Sequence, residues 1–359
     1  MDSKVQIFAF THKRFDIGQP ENVEEYDIYK PLFVGAEGKE DTFGYLRDDA
    51  GDNISSKNCY YSELTGLYWV YKNVTDADIV GTCHYRRYLV NSSDNILSKS
   101  EILSILKDYD VITSKCLKLN FTYYYGFGEN HKPYYLDETR KVISDIYPEY
   151  LPDYDRLVND KHTYFGNIMI CKKQLFDEYA AWLFDILFEL ESRIVIEEED
   201  SYHRRIFGFI SEFLWYLYVR HNSINAEELK VGIVGEKIEI KAVREGLRQY
   251  FRDGDTAGAK EYFLEEKKKR PDMMMEASDI TGELHICMEA IAISSLEEEV
   301  GLQSTIDRIR DYDEIVLYLT KLNNMVADGR FNDIDENVYS YVAVDVARRM
   351  YRQSGVTTG

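Results

Sequence analysis

Ile79-Val80-Gly81-Thr82-Cys83-His84-Tyr85-Arg86-Arg87 decides how this chain is read. The first five residues are apolar or small, with β-branched side chains at Ile79, Val80 and Thr82, so they predict a buried strand. The run then stops on two ring side chains followed by two arginines. A strand without polar alternation belongs to a sheet covered on both faces, and in open sheets of that kind ligands bind outside the carboxyl ends of the strands. The residues just beyond each strand are therefore the candidates for chemistry.

Outward from this strand the same grammar repeats. Val5 to Phe10 reads as the first strand and runs into Thr11-His12-Lys13, Pro31 to Gly35 reads as the second, and Asp110 to Thr113 as the fourth, leading into Ser114-Lys115. Asn167 to Cys171 is a further central strand. Between them lie helical patterns. Ser55 or Ser56 is placed to cap a helix through Lys72 with Leu64, Leu67, Tyr68 and Tyr71 as its apolar stripe, and further helices are expected near Lys99 to Lys107, Tyr135 to Ile146, Gln174 to Ser192 and Arg204 to His221. An aromatic loop is expected from Phe121 to Tyr135. Strand and helix in alternation predict an α/β fold for residues 1–241, a sheet flanked by helices. From residue 242 the composition turns to long charged helical segments such as Lys260 to Arg270, so residues 242–359 are expected to form a mostly helical accessory domain.

Charge narrows the function. The 359 residues carry 43 Lys and Arg against 64 Asp and Glu, a net charge of −21, and the resulting field repels duplex nucleic acid and anionic lipid. A general nucleic-acid binder is excluded on that ground. Against this background three strand ends bring together Thr11, His12 and Lys13, then His84, Arg86 and Arg87, then Thr113, Ser114 and Lys115. An anionic ligand such as a nucleotide diphosphate meets complementary charge there.

Other motifs are weaker. No P-loop occurs, and Gly126-Phe127-Gly128 lacks the third glycine of a dinucleotide fingerprint. D-x-D pairs recur at Asp76/Asp78, Asp108/Asp110, Asp153/Asp155, Asp253/Asp255, Asp311/Asp313 and Asp333/Asp335; the first two precede their strands, and a hard cation needs several converging oxygens. No metal site is expected from them. The five cysteines are scattered without a C-x-x-C pair, which argues against a disulfide framework or zinc site and for a reducing cytoplasm. Cys83 beside His84 is a weak nucleophile candidate, because neighbours on a strand point to opposite faces. No stretch reads as a leader or a membrane span, so a soluble protein is expected, with peripheral membrane contact left open.

Glu212 stands alone among Phe207, Phe209, Ile210, Phe213, Leu214 and Trp215. Desolvation there would raise its pKa, as suits a general base. The competing reading is a buried carboxylate paired with Arg204 or Arg205, and both stay open at this point.

The run Asp52-Asn53-Ile54-Ser55, then Glu63-Leu64-Thr65-Gly66-Leu67-Tyr68-Trp69, and the strand ending in His84-Tyr85-Arg86-Arg87-Tyr88 resemble a bacterial family of capsular and exopolysaccharide glycosyltransferases long known as a domain of unknown function. Phe8 to Lys13, Asn167 to Ile170 and Gly208 to Glu212 are similar to the family's pattern as well, and the resemblance runs from residue 5 to about 222. It implies a GT-A-like, Rossmann-type nucleotide-sugar-binding sheet. The implied substrates are a UDP-sugar donor, with galactose favoured, and a glycan or lipid-linked oligosaccharide acceptor in capsule, exopolysaccharide or O-antigen synthesis. Most GT-A enzymes end the strand at the position of Ile79 to Cys83 in a metal-holding D-x-D. This chain has His84-Tyr85-Arg86-Arg87 instead, so no cofactor is expected to be required, Mn or Mg being the alternative. By the same resemblance Thr11, His12 and Asn53 would face the nucleotide, Lys13, Arg86 and Arg87 would join them, His84 would help the arginines stabilise departing UDP, and Glu212 would deprotonate the acceptor hydroxyl of an inverting enzyme at the inner face of the membrane. Two other functions fit the same residues: a catalytically silent nucleotide- or glycan-binding scaffold, and a sugar-phosphate transferase releasing a nucleoside monophosphate.

Overall fold

The computed structural model describes residues 3–15, 23–119, 121–196, 198–233, 238–274, 279 and 282–353. In chain order its strands are β1 (Val5–Thr11), β2 (Tyr29–Phe33), β3 (Leu46–Arg47), β4 (Ile79–His84), β5 (Arg87–Leu89), β6 (Val111–Ser114), β7 (Leu117–Lys118), β8 (His162–Thr163), β9 (Met169–Lys172), β10 (Ala226–Leu229) and β11 (Val231–Ile233). Among the described residues nine of these form one sheet in the order β10-β6-β9-β4-β1-β2-β3, with β5 on β4 and β11 on β5. Neighbours from β3 to β4 are parallel, whereas β9 runs antiparallel between β4 and β6. β7 and β8 pair separately.

Successive side chains of a strand face opposite ways, and here both faces are covered. Phe8, Phe10 and Val80 enter one apolar core with Leu64, Leu67, Phe176, Leu183, Phe213 and Trp215. Val5, Ile7, Ala9, Ile79 and Cys83 enter the other, with Tyr88, Leu89 and Ile102. The central strands also need room between them: a Cβ on Gly81 would stand 2.7 Å from Ile7 Cδ1 and 2.8 Å from Ile170 Cγ1. The expected helices at Lys99–Ile105, Tyr134–Ile146, Lys173–Arg193 and Ile206–His221 are present, the first with a Ser98–Glu101 capping box.

Three local expectations are corrected. β2 starts at Tyr29 and ends before Gly35, which sits at φ +66° in a turn. The aromatic stretch after residue 120 holds a short helix, Tyr123–Gly128, capped by Thr122. The single helix read from Ser55 to Lys72 is instead a 3-10 turn Ser55–Lys57, one helical turn Asn58–Tyr61, and a helix Leu64–Asn73, broken at Ser62, whose φ is +51°. Ser55 does not cap it. Its hydroxyl donates to the buried Asp48, whose carboxylate also accepts from Thr65 Oγ1 (2.6 Å) and from the N–H groups of Gly35 (2.8 Å) and Ala36 (2.9 Å). The break lies next to Glu63.

The chain divides into two compact units, residues 1–234 and 235–359. The compositional change at residue 242 falls inside the helix Ile238–Asp253, whose Ile240 belongs to the apolar core of the second unit, so the division precedes the boundary read from sequence. That core gathers Leu247, Phe251, Phe263, Leu284, Ile293, Ile315 and Leu319 from the helices Ile238–Asp253, Thr256–Lys269, Glu283–Glu299 and Tyr312–Ala327. Among the described residues no helix is long and apolar enough to cross a membrane.

Candidate functional site

β9 is entered through a turn at Gly166 and Asn167, with φ of +97° and +49°. Gly166 is held from two sides. Its carbonyl accepts from His84 Nε2 at 2.7 Å, and its N–H donates to Glu212 Oε1 at 2.8 Å. His84 is the last residue of β4, so it lies at the carboxyl edge; Glu212 comes from the second turn of the helix Ile206–His221. One residue thus joins the two side chains that sequence reasoning had placed on separate elements.

The turn is braced further. Asn167 Nδ2 donates to Glu63 Oε1 at 2.9 Å and to the carbonyl of Gly208 at 3.3 Å, while Ser211 Oγ donates to Asn167 Oδ1 at 3.1 Å. From the other side Thr113 Oγ1 donates to the carbonyl of Ile168 (2.8 Å) and Ser114 Oγ to that of Phe165 (3.0 Å). The hydroxyls expected to meet a ligand after the fourth strand are therefore spent on the turn. Trp215 Nε1 donates to Thr113 Oγ1 at 2.9 Å and ties the same helix to β6.

These contacts set unequal acidities. Burial, then the negative charge of Glu63, pushes Glu212 up to about 8 against the opposing Gly166 N–H, Arg87 and Arg205. For Glu63 burial acts upward too, but the charges of His84 and Arg205, with hydrogen bonds from Asn167 and the backbone, hold it below its ordinary value. His84 is lowered, by burial first and by Arg87 and Arg205, with Glu63 and the Gly166 carbonyl opposing. His84 Nε2 carries the hydrogen of its bond to Gly166, because a carbonyl oxygen can only accept. Among the described residues neither Arg204 nor Arg205 hydrogen-bonds to Glu212: Arg204 donates to the carbonyl of Glu199 (2.8 and 3.2 Å) and Arg205 Nε to Ser62 Oγ (2.8 Å). The Gly166 N–H takes the place of the arginine partner.

The strand-end cations gather beside this cluster. Arg86 and Arg87 are half-buried at the turn from β4 into β5, and Arg87 pairs with His84 in register. The ring of His12 meets Tyr85 edge-on at 5.5 Å, and Lys13 Nζ lies 5.2 Å from the centre of the same ring. Thr11 is buried; its Oγ1 donates to the carbonyl of Lys13 (2.6 Å) and accepts from the Lys13 N–H (3.1 Å), which shapes the loop. Asn53 is differently employed. Its Nδ2 donates to the carbonyls of Asp49 (3.1 Å) and Gly51 (2.9 Å) and its Oδ1 accepts from the Ser55 N–H (3.1 Å), so it folds its own loop.

The remaining candidates have structural partners. Cys83 is buried, which pushes its thiol far up and away from nucleophilic use. Asp76 pairs with Lys4, Asp78 accepts from the Lys4 N–H (2.8 Å), Asp153 pairs with Arg156 and His221, and Asp155 with Arg140. Among the described residues no group of three or more His, Cys, Asp or Glu side chains is arranged to hold a metal ion. Sequence reasoning placed Glu63 within the run that carries the resemblance but gave it no role, and did not single out Gly166. The Gly-Asn pair before an apolar run was a turn signal, but nothing local marked Glu63 as its partner.

Parallel strands β3-β2-β1-β4 followed by an antiparallel β9, helices on both faces and a polar cluster at the carboxyl edge define a GT-A-like α/β fold with a helical C-terminal region. Residues 6–223 match the family described as Domain of unknown function (DUF4422), and the chain belongs to that family. The solved apo structure of the bifunctional glycosyltransferase WbbM is similar, with a TM-score of 0.58 and 26% identity. The match covers 65% of this chain and 46% of WbbM, so this chain spans about half the length of that protein. No curated protein sequence matches.

Proposed function

We propose that this protein is a glycosyltransferase that moves a sugar, galactose-type, from a UDP-sugar to a glycan or lipid-linked acceptor with inversion, in the synthesis of a cell-surface polysaccharide at the inner face of the membrane. The observation that carries the reading is the joint hold of Glu212 and His84 on Gly166 at the carboxyl edge of β4, next to Arg86 and Arg87. The likeness to WbbM supports the reaction class.

A base with a pKa near the working pH transfers protons best, and Glu212, pushed up to about 8, has that property. In the proposed reaction the acceptor oxygen attacks the anomeric carbon as the bond to the UDP oxygen breaks. Glu212 takes the acceptor proton, and Arg86, Arg87 and Lys13 stabilise the charge on departing UDP. His84, whose Nε2 donates to the Gly166 carbonyl, fixes the turn.

The test is incubation with UDP-galactose, UDP-glucose and UDP-N-acetylhexosamines together with methyl and lipid-linked glycosides. UDP release with a new glycosidic bond, its anomeric configuration read by NMR, is the expected result. Binding without turnover would favour a silent scaffold. Release of a nucleoside monophosphate with a phosphodiester product would favour sugar-phosphate transfer.

A further inference from the structure

We infer that Glu63 is a positioning residue for Glu212: its carboxylate fixes the Gly166–Asn167 turn whose N–H holds Glu212, and it sets a second negative charge beside that side chain. The geometry comes from three separate elements. Ser62, at φ +51°, breaks the chain before the helix Leu64–Asn73 and turns Glu63 toward the turn, while its hydroxyl accepts from Arg205 Nε at 2.8 Å. Glu63 Oε1 accepts from Asn167 at 2.9 Å. The two carboxylate oxygens of Glu63 lie 3.7 and 3.8 Å from where a Cβ on Gly208 would stand, one helical turn before Glu212. The carboxylate of Glu63 therefore rests on the same face of the helix as Glu212.

Two carboxylates this close divide their proton affinity unequally. The groups that act on Glu212 are Glu63 from the segment before Leu64–Asn73, the Gly166 N–H from the turn, Arg87 from β5 and Arg205 from the start of its own helix. The Tyr123 hydroxyl faces it from the helix Tyr123–Gly128, and His84 from β4 acts through Glu63. Of these Glu63 alone supplies negative charge at neutral pH, and it is the one that makes Glu212 a stronger base. Its effect on catalysis rests on the transferase reading. Its effect on the titration of Glu212 does not.

The experiment uses the full chain with ¹³C-labelled glutamate carboxyls, Glu212 being assigned from the difference against Glu212→Gln. Glu63→Gln keeps an oxygen that accepts from Asn167 and removes the charge; the expected result is an acid shift of the Glu212 midpoint by about one unit or more. Glu63→Asp keeps the charge and withdraws it from Asn167, so Glu212 is expected to titrate close to the parent midpoint while transfer falls roughly tenfold in kcat with little change in donor affinity. The acidic limb of the transfer rate is expected to follow the Glu212 midpoint in Glu63→Gln. An unchanged midpoint in Glu63→Gln overturns the inference, as does an equal acid shift in Glu63→Asp. A parent protein that transfers no sugar overturns the functional reading instead, and the titration still decides the role of Glu63.

Discussion

Glu212 is the residue at which chemistry and stability make opposite demands. To take the acceptor's proton it must first be ionised, yet its surroundings favour the protonated form, with a value of about 8 against an ordinary 4.5. Glu212→Gln keeps the size of the side chain and an oxygen for the Gly166 N–H, so donor affinity is expected to stay within about twofold while transfer falls by about 10²–10⁴, read from initial rates and calorimetry. The same substitution has a stability signature. A carboxyl whose folded pKa is raised contributes stability that is complete below its unfolded value and is lost as pH rises through the folded one. The parent therefore loses stability between about pH 4.5 and pH 8, where the Gln variant has no proton to release. The melting temperature of Glu212→Gln relative to the parent should rise across that interval, and a difference that falls instead would mean that Glu212 is held as an anion. Arg86 and Arg87 belong to the same scale. Alanine at either is expected to weaken UDP binding by about 1.5–3 kcal/mol with little change in melting temperature, since neither side chain belongs to the apolar cores.

At the scale of elements, the turn before β9 connects the site to the fold. Gly166 has φ +97°, and a Cβ there would find its nearest atoms on Ile168 at 3.5 and 3.6 Å, so the obstacle to another residue is backbone conformation and not space. Gly166→Ala is expected to cost about 1–3 kcal/mol of stability, measured by denaturant titration, and to lower kcat by more than that loss explains, because the turn aims both His84 and Glu212. The helices and central strands were legible in the sequence, since β1, β4, Lys173–Arg193 and Ile206–His221 each carry their own periodicity and end signals. The break at Ser62 was not. It is fixed by Asp48, which draws Ser55 and Thr65, and by Arg205, which donates to Ser62 from far along the chain. β5, β10 and β11 were missed for a related reason: Ala226-Glu227-Glu228-Leu229 is half-buried throughout and becomes a strand through pairing with β6. The site divides along the same line. Glu212, His84 and Arg87 announced themselves by apolar or cationic surroundings, whereas Glu63, Gly166 and Asn167 acquire their roles only by meeting in space.

For the whole molecule, charge and division into units each lead to a test. The chain carries a net −21, yet Lys13, Arg86, Arg87 and Arg205 stand at or beside one strand end. If these fixed cations neutralise the diphosphate, activity is expected to survive EDTA; loss on chelation with recovery in Mn²⁺ or Mg²⁺ would show that carboxylates converge once the donor is bound. The division concerns residues 1–234, whose apolar clusters run from Val5 to Val231 and share no member with the cluster from Ile240 to Ala347. Every element that positions Glu63, His84, Gly166 and Glu212 lies before residue 222, and β10 and β11 complete the sheet by Ile233. A fragment of residues 1–234 is therefore expected to fold and melt cooperatively, to bind UDP with the affinity of the full chain, and to keep the pH-dependent gain of Glu212→Gln. A fragment ending at residue 241 adds only the first turn of the helix Ile238–Asp253 and exposes Ile240, so it should be the less soluble of the two. If the shorter fragment aggregates or loses UDP binding, the first unit depends on the second for its stability. If it keeps donor hydrolysis and loses transfer to the glycan, the helices after residue 235 handle the acceptor.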